Sequence, residues 1–569
     1  MIDRQTTGGR LVVDALRSLG VQHVFGVPGG QTLAILDAML DVEDIRFVAV
    51  RHEGAAACMA DAVGRLTGRP GVCLATTGPG ATNLLTGVGG AFRDSSPVIV
   101  ITCNNNLRDI DRDDAQAADH VAIFRPLTKR AMFVGTPAAI PQVIEEAYII
   151  AMSGCPGPVL VDFARDALET GVTAVPAMPG EKMHLLRAIP RSSADPSVVS
   201  RAAAQLQAAS SPVLWLGGGT IRSGATDAAL RLAERLDAPV ITTFNGIGAA
   251  PSAHPNVFGP KSRMGTALSA AVLRGADVVL AVGNSLDAVS TSRWTVDLPE
   301  CIIQIDTDPE KLGRYYASRT LGLLGDARLV LEQLNDRMDG NLSTGTSAEA
   351  RKARLSELAH ERERWQSRLA DSRSRPGMIA PDRLVKVLRD ATPDDTVLVV
   401  DAGNAGVWTH LWEVRDGAGE YLKPVGFGNM GFALPAAIGS ALVRPSSHVV
   451  ALIGDGSMAM TVGELETVAR EGVAPCIVVM NDSSYGNIRQ EQLVKYGPRT
   501  SGVDFRDVDF AQIAKGFGVK GVRVDSEEGL AAAVREWLSA GEALLIDARI
   551  DRDPSVWTFP YFTGSEPET

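Results

Sequence analysis

Two carboxylates have the type and spacing for metal chemistry. Asp455 lies in Gly454-Asp455-Gly456-Ser457, after the strand-like run 448–453, and Asp482 lies in Asn481-Asp482, after the run 475–480; 27 positions separate them. Helical spacing over 462–471 joins the two runs, so the segment reads as one βαβ unit. Both carboxylates then fall at the carboxyl ends of parallel strands, where open α/β sheets bind ligands. On neighbouring strands they are near enough to share a cation. With a backbone carbonyl and phosphate oxygens they suit Mg²⁺, a hard ion that prefers oxygen ligands. The flanking glycines let backbone N–H groups approach a diphosphate at a helix N-terminus. Taken alone, Gly-Asp-Gly and Asn-Asp are also ordinary turn sequences.

A third carboxylate, Glu53, lies where the run 45–50 meets an alanine-rich helical stretch, and Gly428 and Met430 lie in GFGNMGFALPAAIG. Singly, Glu53 reads as a helix N-terminal charge and Met430 as core filler. Together with the 455–482 unit they resemble the thiamine-diphosphate (ThDP) enzymes, whose motif is GDG followed about 25 residues later by NN or ND. The resemblance implies metal ligands at Asp455, Asp482 and the backbone carbonyl of Ser484. It implies cofactor contacts from Gly454, Gly456, Ser457 and Asp482, with Asn404 of DAGNAG beside the diphosphate. In that family a glutamate, here Glu53, hydrogen-bonds N1′ of the aminopyrimidine and promotes the imino tautomer that removes the thiazolium C2 proton. A large apolar residue, here Met430, bends the cofactor, and a carbonyl, here that of Gly428, accepts from its 4′-amine. Two subunits build each such site, which implies a homo-oligomer: a dimer at minimum, and a tetramer as is common in the family.

Over almost the whole chain the similarity is to acetohydroxyacid (acetolactate) synthase-like enzymes, carried by FGVPGG, RHEGAAACMADAVGRLTG, TTGPGATNLLTG, GPVLVDF and GDGSMAMTVGELETVAREG. These enzymes decarboxylate a 2-oxo acid and add the remaining fragment to an aldehyde or ketone. The resemblance therefore implies a carboligase acting on pyruvate or a similar small 2-oxo acid. Gln31, Gln116 and Asn487 are the expected polar substrate contacts, Gly30 leaves room, and Glu491 and His120 stand beside them. The family's FQEAD pattern reads Ala115-Gln116-Ala117-Ala118-Asp119, its DLPKD lysine corresponds to Arg165, and its methionine and tryptophan after the metal motif are Asn487 and Glu491. The NDxxYGN segment is similar to a side branch that includes cyclic 1,2-dione hydrolases. A 2-oxo acid decarboxylase or a dione hydrolase is therefore the alternative, and a catalytically silent ThDP-binding subunit is the alternative of another class. WLGGGTIRSGA and IQIDTDP, with Asp306, are similar to the segments where acetohydroxyacid synthases hold FAD. Their methionine–histidine–glycine flavin contact is Ser262-Arg263-Met264-Gly265 here, which leaves ADP or no nucleotide as alternatives.

The elements around these residues repeat one rhythm, short apolar runs alternating with helical stretches. That pattern predicts parallel sheets covered on both faces. The expected architecture is α/β with three doubly wound parallel-sheet domains: a pyrimidine-binding domain over 1–180, a central domain over 190–345 and a diphosphate- and Mg-binding domain over 378–550. Proline at 176, 179, 190 and 196 marks the first linker, the charged helix-prone stretch 346–377 joins the second and third domains, and the tail 551–569 is a lid or strap. The 569 residues are 45% hydrophobic and 21% charged, which excludes a disordered chain, and 57 glycines fit the many turns of an α/β enzyme. A net charge of −12 with no basic stripe argues against nucleic acid, and no apolar run approaches a membrane span. The six cysteines form no CxxC pair and the N-terminus has no signal-peptide pattern, so a reducing cytoplasm is expected.

Overall fold

The computed structural model describes residues 6–110, 112–172, 190–338, 346–370, 372–414, 420–557, 559 and 562. It contains three six-stranded sheets, parallel throughout, with helices on both faces, which is the fold class expected. In the N-terminal sheet the spatial order is Arg46–Ala49, His23–Gly26, Gly71–Ala75, Val98–Asn104, Pro158–Ala164, Arg130–Val134. In the C-terminal sheet it is Tyr421–Leu422, Val397–Val400, Val449–Gly454, Cys476–Asn481, Leu544–Arg549, Lys520–Val524. Numbered along the chain, both sheets run 2-1-3-4-6-5. The central sheet differs. Its order, Val257–Pro260, Val240–Thr242, Pro212–Leu216, Val278–Val282, Cys301–Asp306, Thr320–Leu324, is 3-2-1-4-5-6, the order of dinucleotide-binding sheets.

The central strands of each sheet are continuous apolar runs because both faces are covered. Val98–Asn104, Val278–Val282 and Cys476–Asn481 are buried at every position. The N- and C-terminal domains share one hydrophobic core, in which the helix Glu53–Thr67 lies against the helix Ala433–Val443. Gly439 permits that approach, since a Cβ there would come within 2.8 Å of the Met59 carbonyl oxygen. Around this core, the Arg51 backbone N–H donates to the buried Glu464 carboxylate at 2.9 Å, and Arg444 donates to the Leu66 carbonyl at 2.7 Å.

The charged helix Thr346–Ala370 does more than join domains. Arg351 is buried and donates to the Ala209 carbonyl at 2.9 Å, and Arg354 reaches the Val272 and Gly275 carbonyls at 2.6 and 2.8 Å. These arginines cap the ends of central-domain helices, which offer unsatisfied carbonyls. The tail is an ordered strap where it is described: Phe559 and Phe562 pack edge-on against Trp408, at 4.7 and 5.3 Å between ring centres, and Phe562 pairs with Thr266 of the central domain. Much of the proline linker (173–189) and of the tail's end (563–569) lies outside the described residues. Among the described residues no helix is long and apolar enough to cross a membrane.

Candidate active site

Gly454 ends one strand and pairs in register with Met480 of the next, which sets Asp455 and Asp482 just past neighbouring strand ends. Ser483, in the left-handed region at φ 55°, turns the chain so that the Ser484 N–H points between the two carboxylates. It donates to Asp455 Oδ2 at 3.2 Å and to Asp482 Oδ1 at 3.0 Å. Burial first, and then the charge of Asp482, pushes the Asp455 carboxyl up to about 7. Burial also raises Asp482, against its bonds to Ser484 and the nearby Arg552 guanidinium. A buried and a half-buried carboxylate held face to face make an oxygen donor set that a divalent cation would satisfy. Among the described residues no group of three or more His, Cys, Asp or Glu is arranged to hold a metal, so the remaining ligands would come from backbone and diphosphate oxygens.

These carboxylates line a cavity of about 260 Å³. Asn404, Gly428, Met430, Gly454, Gly456, Ser457, Ser484 and Asn487 line it with them. Gly403, Gly428 and Gly454 border it with nothing within 4 Å of where a Cβ would stand, so any side chain there would enter the cavity. Gly456 is a glycine for another reason: a Cβ would fall 2.6 Å from the Tyr485 ring. Asn404 accepts from the Asn487 amide at 2.8 Å and donates to Gln490 at 3.3 Å. Asn487 therefore belongs to the group around Asn404. Glu491 pairs with Lys495 at 2.9 Å and does not line the cavity.

Glu53, Gly30, Gln31 and Gln116 do not line this cavity either. They gather at the carboxyl ends of the N-terminal strands. Gln31 accepts from Thr76 at 2.6 Å and donates to Asn105 at 3.2 Å, and Asn105 in turn donates to the Ala115 carbonyl at 3.1 Å. Gln116 has a positive φ of 62°, and its carbonyl presses on Gly78, where a Cβ would lie 2.4 Å away. Gly30 has open space on its Cβ side. Glu53 heads its helix and accepts from Asn83 at 2.9 Å, while His52 caps the same helix through its Nδ1. His120 is a buried brace. Its Nε2 accepts from the Gly78 N–H at 3.0 Å and its Nδ1 bonds Asp162 at 2.8 Å, so it is not an exposed substrate contact.

In the central domain Gly217 and Gly219 press against Gly283, where Cβ atoms would collide with backbone at 2.1 and 2.6 Å. The glycine cluster thus brings two strand-end loops together. Asp306 ends its strand at the same edge and accepts from the Asp308 N–H at 3.0 Å; burial raises its carboxyl, against the pull of Lys311.

The chain matches the N-terminal TPP binding domain of thiamine pyrophosphate enzymes over residues 6–123, the central domain over 199–334 and the C-terminal TPP binding domain over 401–548. It is 34% identical over 570 residues to an acetolactate synthase of Mycobacterium bovis, covering 97% of this chain and 90% of the relative. It is 32% identical over 559 residues to the acetolactate synthase isozyme 3 large subunit of Escherichia coli, covering 97% and 96%. It is 33% identical over 553 residues to an acetolactate synthase large subunit of Parasynechococcus marenigrum, covering 96% and 88%. The chain belongs to the acetohydroxyacid synthase-like ThDP enzymes.

In this ThDP enzyme of the carboligase type, the segment 425–431 is held by residues that the sequence alone does not single out. Asp94 is buried and accepts from the Gly426 and Val425 N–H groups at 2.8 and 2.9 Å, from Asn245 at 2.8 Å and from Arg65 at 3.0 Å. One carboxylate thus ties all three domains of the synthase-like fold and fixes the segment that leads to Gly428 and Met430. Asp401 holds the other side of that segment, accepting from Gly431 and Ala433 at 3.1 and 2.8 Å. Gly486 lets Asp482 and Asn404 converge, since a Cβ would sit 2.7 Å from one and 3.1 Å from the other. Gly486 lies inside the NDSSYGN segment and Asp401 opens DAGNAG, but neither role could be read there. Asp94 ends an unremarkable helix, and its loop partners Val425 and Gly426 are 331 and 332 positions away.

Proposed function

We propose that this enzyme decarboxylates pyruvate, or a similar small 2-oxo acid, and ligates the remaining fragment to the carbonyl of a second molecule. The observation that carries the reading is the facing pair Asp455–Asp482 at a glycine-bordered cavity, in a chain related end to end to acetolactate synthases. Bound ThDP supplies the nucleophilic carbon and the electron sink for decarboxylation. Asp455, Asp482 and the Ser484 carbonyl would hold Mg²⁺ against the diphosphate. Gly454, Gly456 and Ser457 would border the diphosphate, and Asn404 would orient it with Asn487 and Gln490 behind. Met430 fills the apolar side of the cavity next to Gly428, whose carbonyl would accept from the aminopyrimidine. Glu53 would hold a proton at N1′, with Asn83 fixing its carboxylate. Gln31 and Gln116 would orient the substrate where Gly30 leaves space.

Glu53 does not line the cavity of its own chain, which supports a site shared between two copies. Exposed apolar side chains around the C-terminal rim, Met460 at 55% and Ile488 at 49%, support a covering partner copy. The proposed assembly is a homodimer at minimum, and a tetramer by likeness to the family. The 3-2-1-4-5-6 order of the central sheet supports a dinucleotide at the edge formed by Gly217–Gly219 and Asp306, with FAD proposed as its occupant. Six free cysteines, four of them buried, support a reducing, cytoplasmic setting.

The test is product identification after incubation with pyruvate, ThDP and Mg²⁺. Acetolactate or another hydroxyketone is the expected product. Acetaldehyde alone would make the enzyme a decarboxylase. Turnover of a cyclic 1,2-dione to a ring-opened acid, without use of pyruvate, would make it a dione hydrolase. No turnover of any 2-oxo acid or dione would leave the silent subunit.

A further inference from the structure

Asp162 is a carboxylate in the strand Pro158–Ala164, which is buried at every position, and is itself only 1% exposed. A carboxylate there costs more than an apolar side chain unless donors hold it. Thr102, its register partner on the next strand, donates to it at 2.7 Å, the His120 ring at 2.8 Å and the Asn104 amide at 2.9 Å. His120 and Asn104 are buried as well. Two arms run from this carboxylate to residues of the proposed site.

The first arm passes through His120. Its Nε2 accepts from the Gly78 N–H at 3.0 Å, so that nitrogen carries no proton and the Nδ1–H is the donor to Asp162. The carboxylate thus selects the tautomer that can hold Gly78. Gly78, at φ 61°, lies against the Gln116 carbonyl and heads the helix Pro79–Asn83. That helix is the wall behind Glu53. Asn83 donates to the Glu53 Oε2 at 2.9 Å, and a Cβ at Gly80 would stand 3.3 Å from its Oε1. The second arm passes through Asn104. Its oxygen accepts from the Asn105 backbone N–H at 2.8 Å, which leaves its NH₂ for Asp162. The Asn105 amide donates to the Ala115 carbonyl, so its oxygen is the one that accepts from Gln31.

We propose that Asp162 is a positioning residue for the reaction: through His120 it sets the Gly78 turn and the helix that holds Glu53, and through Asn104 and Asn105 it sets Gln31. The inference rests on the roles proposed for Glu53 and Gln31. The test is exchange of the thiazolium C2 proton for deuterium in ThDP bound to the full-length, Mg²⁺-loaded enzyme, measured without substrate. Asp162→Asn and His120→Leu are each expected to slow exchange about tenfold or more, with ThDP affinity within about threefold of wild type. His120→Gln, whose amide oxygen can replace Nε2 as the acceptor for Gly78, is expected to recover most of the rate. Asp162→Asn alone is also expected to raise the KM for pyruvate about threefold or more, because only it loosens Gln31. Exchange at the wild-type rate in His120→Leu, or in a folded Asp162→Asn, would overturn the proposal. So would a loss of ThDP affinity as large as the loss of rate, or His120→Gln no faster than His120→Leu, the outcomes expected of residues that only support the fold. An unchanged KM would overturn the arm to Gln31. Glu53→Gln in parallel separates the two failures. Fast exchange there removes the role of Glu53, and the arm to it falls with that role; slow exchange there beside fast exchange in Asp162→Asn overturns the positioning alone.

Discussion

Asp94→Asn perturbs the frame of the site without touching cofactor or substrate. Asp94 Oδ1 accepts from Gly426 and Asn245, and Oδ2 accepts from Val425 and Arg65. Every partner is a donor, so an asparagine amide must turn its NH₂ toward two of them whichever way it flips. Two buried donors then lose their acceptor, at about 1–3 kcal/mol each. Arg65 keeps Asp61 at 2.8 Å and the Lys423 carbonyl at 2.8 Å, which limits the loss of the ion pair. The total comes to about 3–5 kcal/mol, the usual cost of breaking a buried charged contact. If a third of this is expressed at the loop carrying Gly428 and Met430, ThDP binds about tenfold more weakly, since ~1.4 kcal/mol is a factor of ten. Cofactor titration and amide hydrogen exchange over 425–431 read the two effects separately. Unchanged ThDP affinity together with unchanged exchange in that segment would refute the role given to Asp94.

The shared site predicts complementation. Glu53→Gln and Asp455→Asn chains, each inactive alone, should regain about a quarter of wild-type activity when refolded or co-expressed as a mixture, because half the dimers are mixed and each carries one intact site; no recovery would place the whole site in one chain. Chelation of divalent metal should release ThDP in equilibrium dialysis and Mg²⁺ should restore it, while Asp482→Ala should bind ThDP at least about tenfold more weakly at any Mg²⁺ concentration tested. His410 predicts a pH effect. It is buried, it bonds Ser262 and the Val407 carbonyl, and burial lowers it to about 3. The unfolded histidine titrates near 6.5, so its contribution is complete above that pH and is lost as the pH falls toward 3, up to about 5 kcal/mol. Urea unfolding of wild type and His410→Gln between pH 7 and pH 4 checks this: the variant should lose less stability on acidification.

What the sequence made legible follows burial. The apolar runs are plainest in interior strands such as Val98–Asn104, Val278–Val282 and Cys476–Asn481, which are covered on both faces and buried at every position. The signal is faintest at the sheet edges, in Arg130–Val134, Val257–Pro260, Thr320–Leu324, Tyr421–Leu422 and Lys520–Val524. Most are short or only partly buried, so their residues lack the continuous apolar signal. Within the site, Asp455 and Asp482 were legible because one βαβ unit fixes both. Asp94 was not, because its bonds to Val425 and Gly426 span 331 and 332 positions and no local pattern encodes them. Asn487 was read as a substrate contact from its place after the metal motif, yet its amide is bonded to Asn404, a pairing only the folded chain reveals.

The proposed reaction joins two carbonyl compounds with loss of one carboxylate, using Glu53 and the Asp455–Asp482 pair. The most direct measurement is the ratio of pyruvate consumed to CO₂ released by the ThDP- and Mg²⁺-loaded enzyme, with Glu53→Gln in parallel. Two pyruvates consumed per CO₂, with acetolactate as product and no release by the folded variant, is the predicted result. One pyruvate per CO₂, or CO₂ release undiminished in Glu53→Gln, would contradict it.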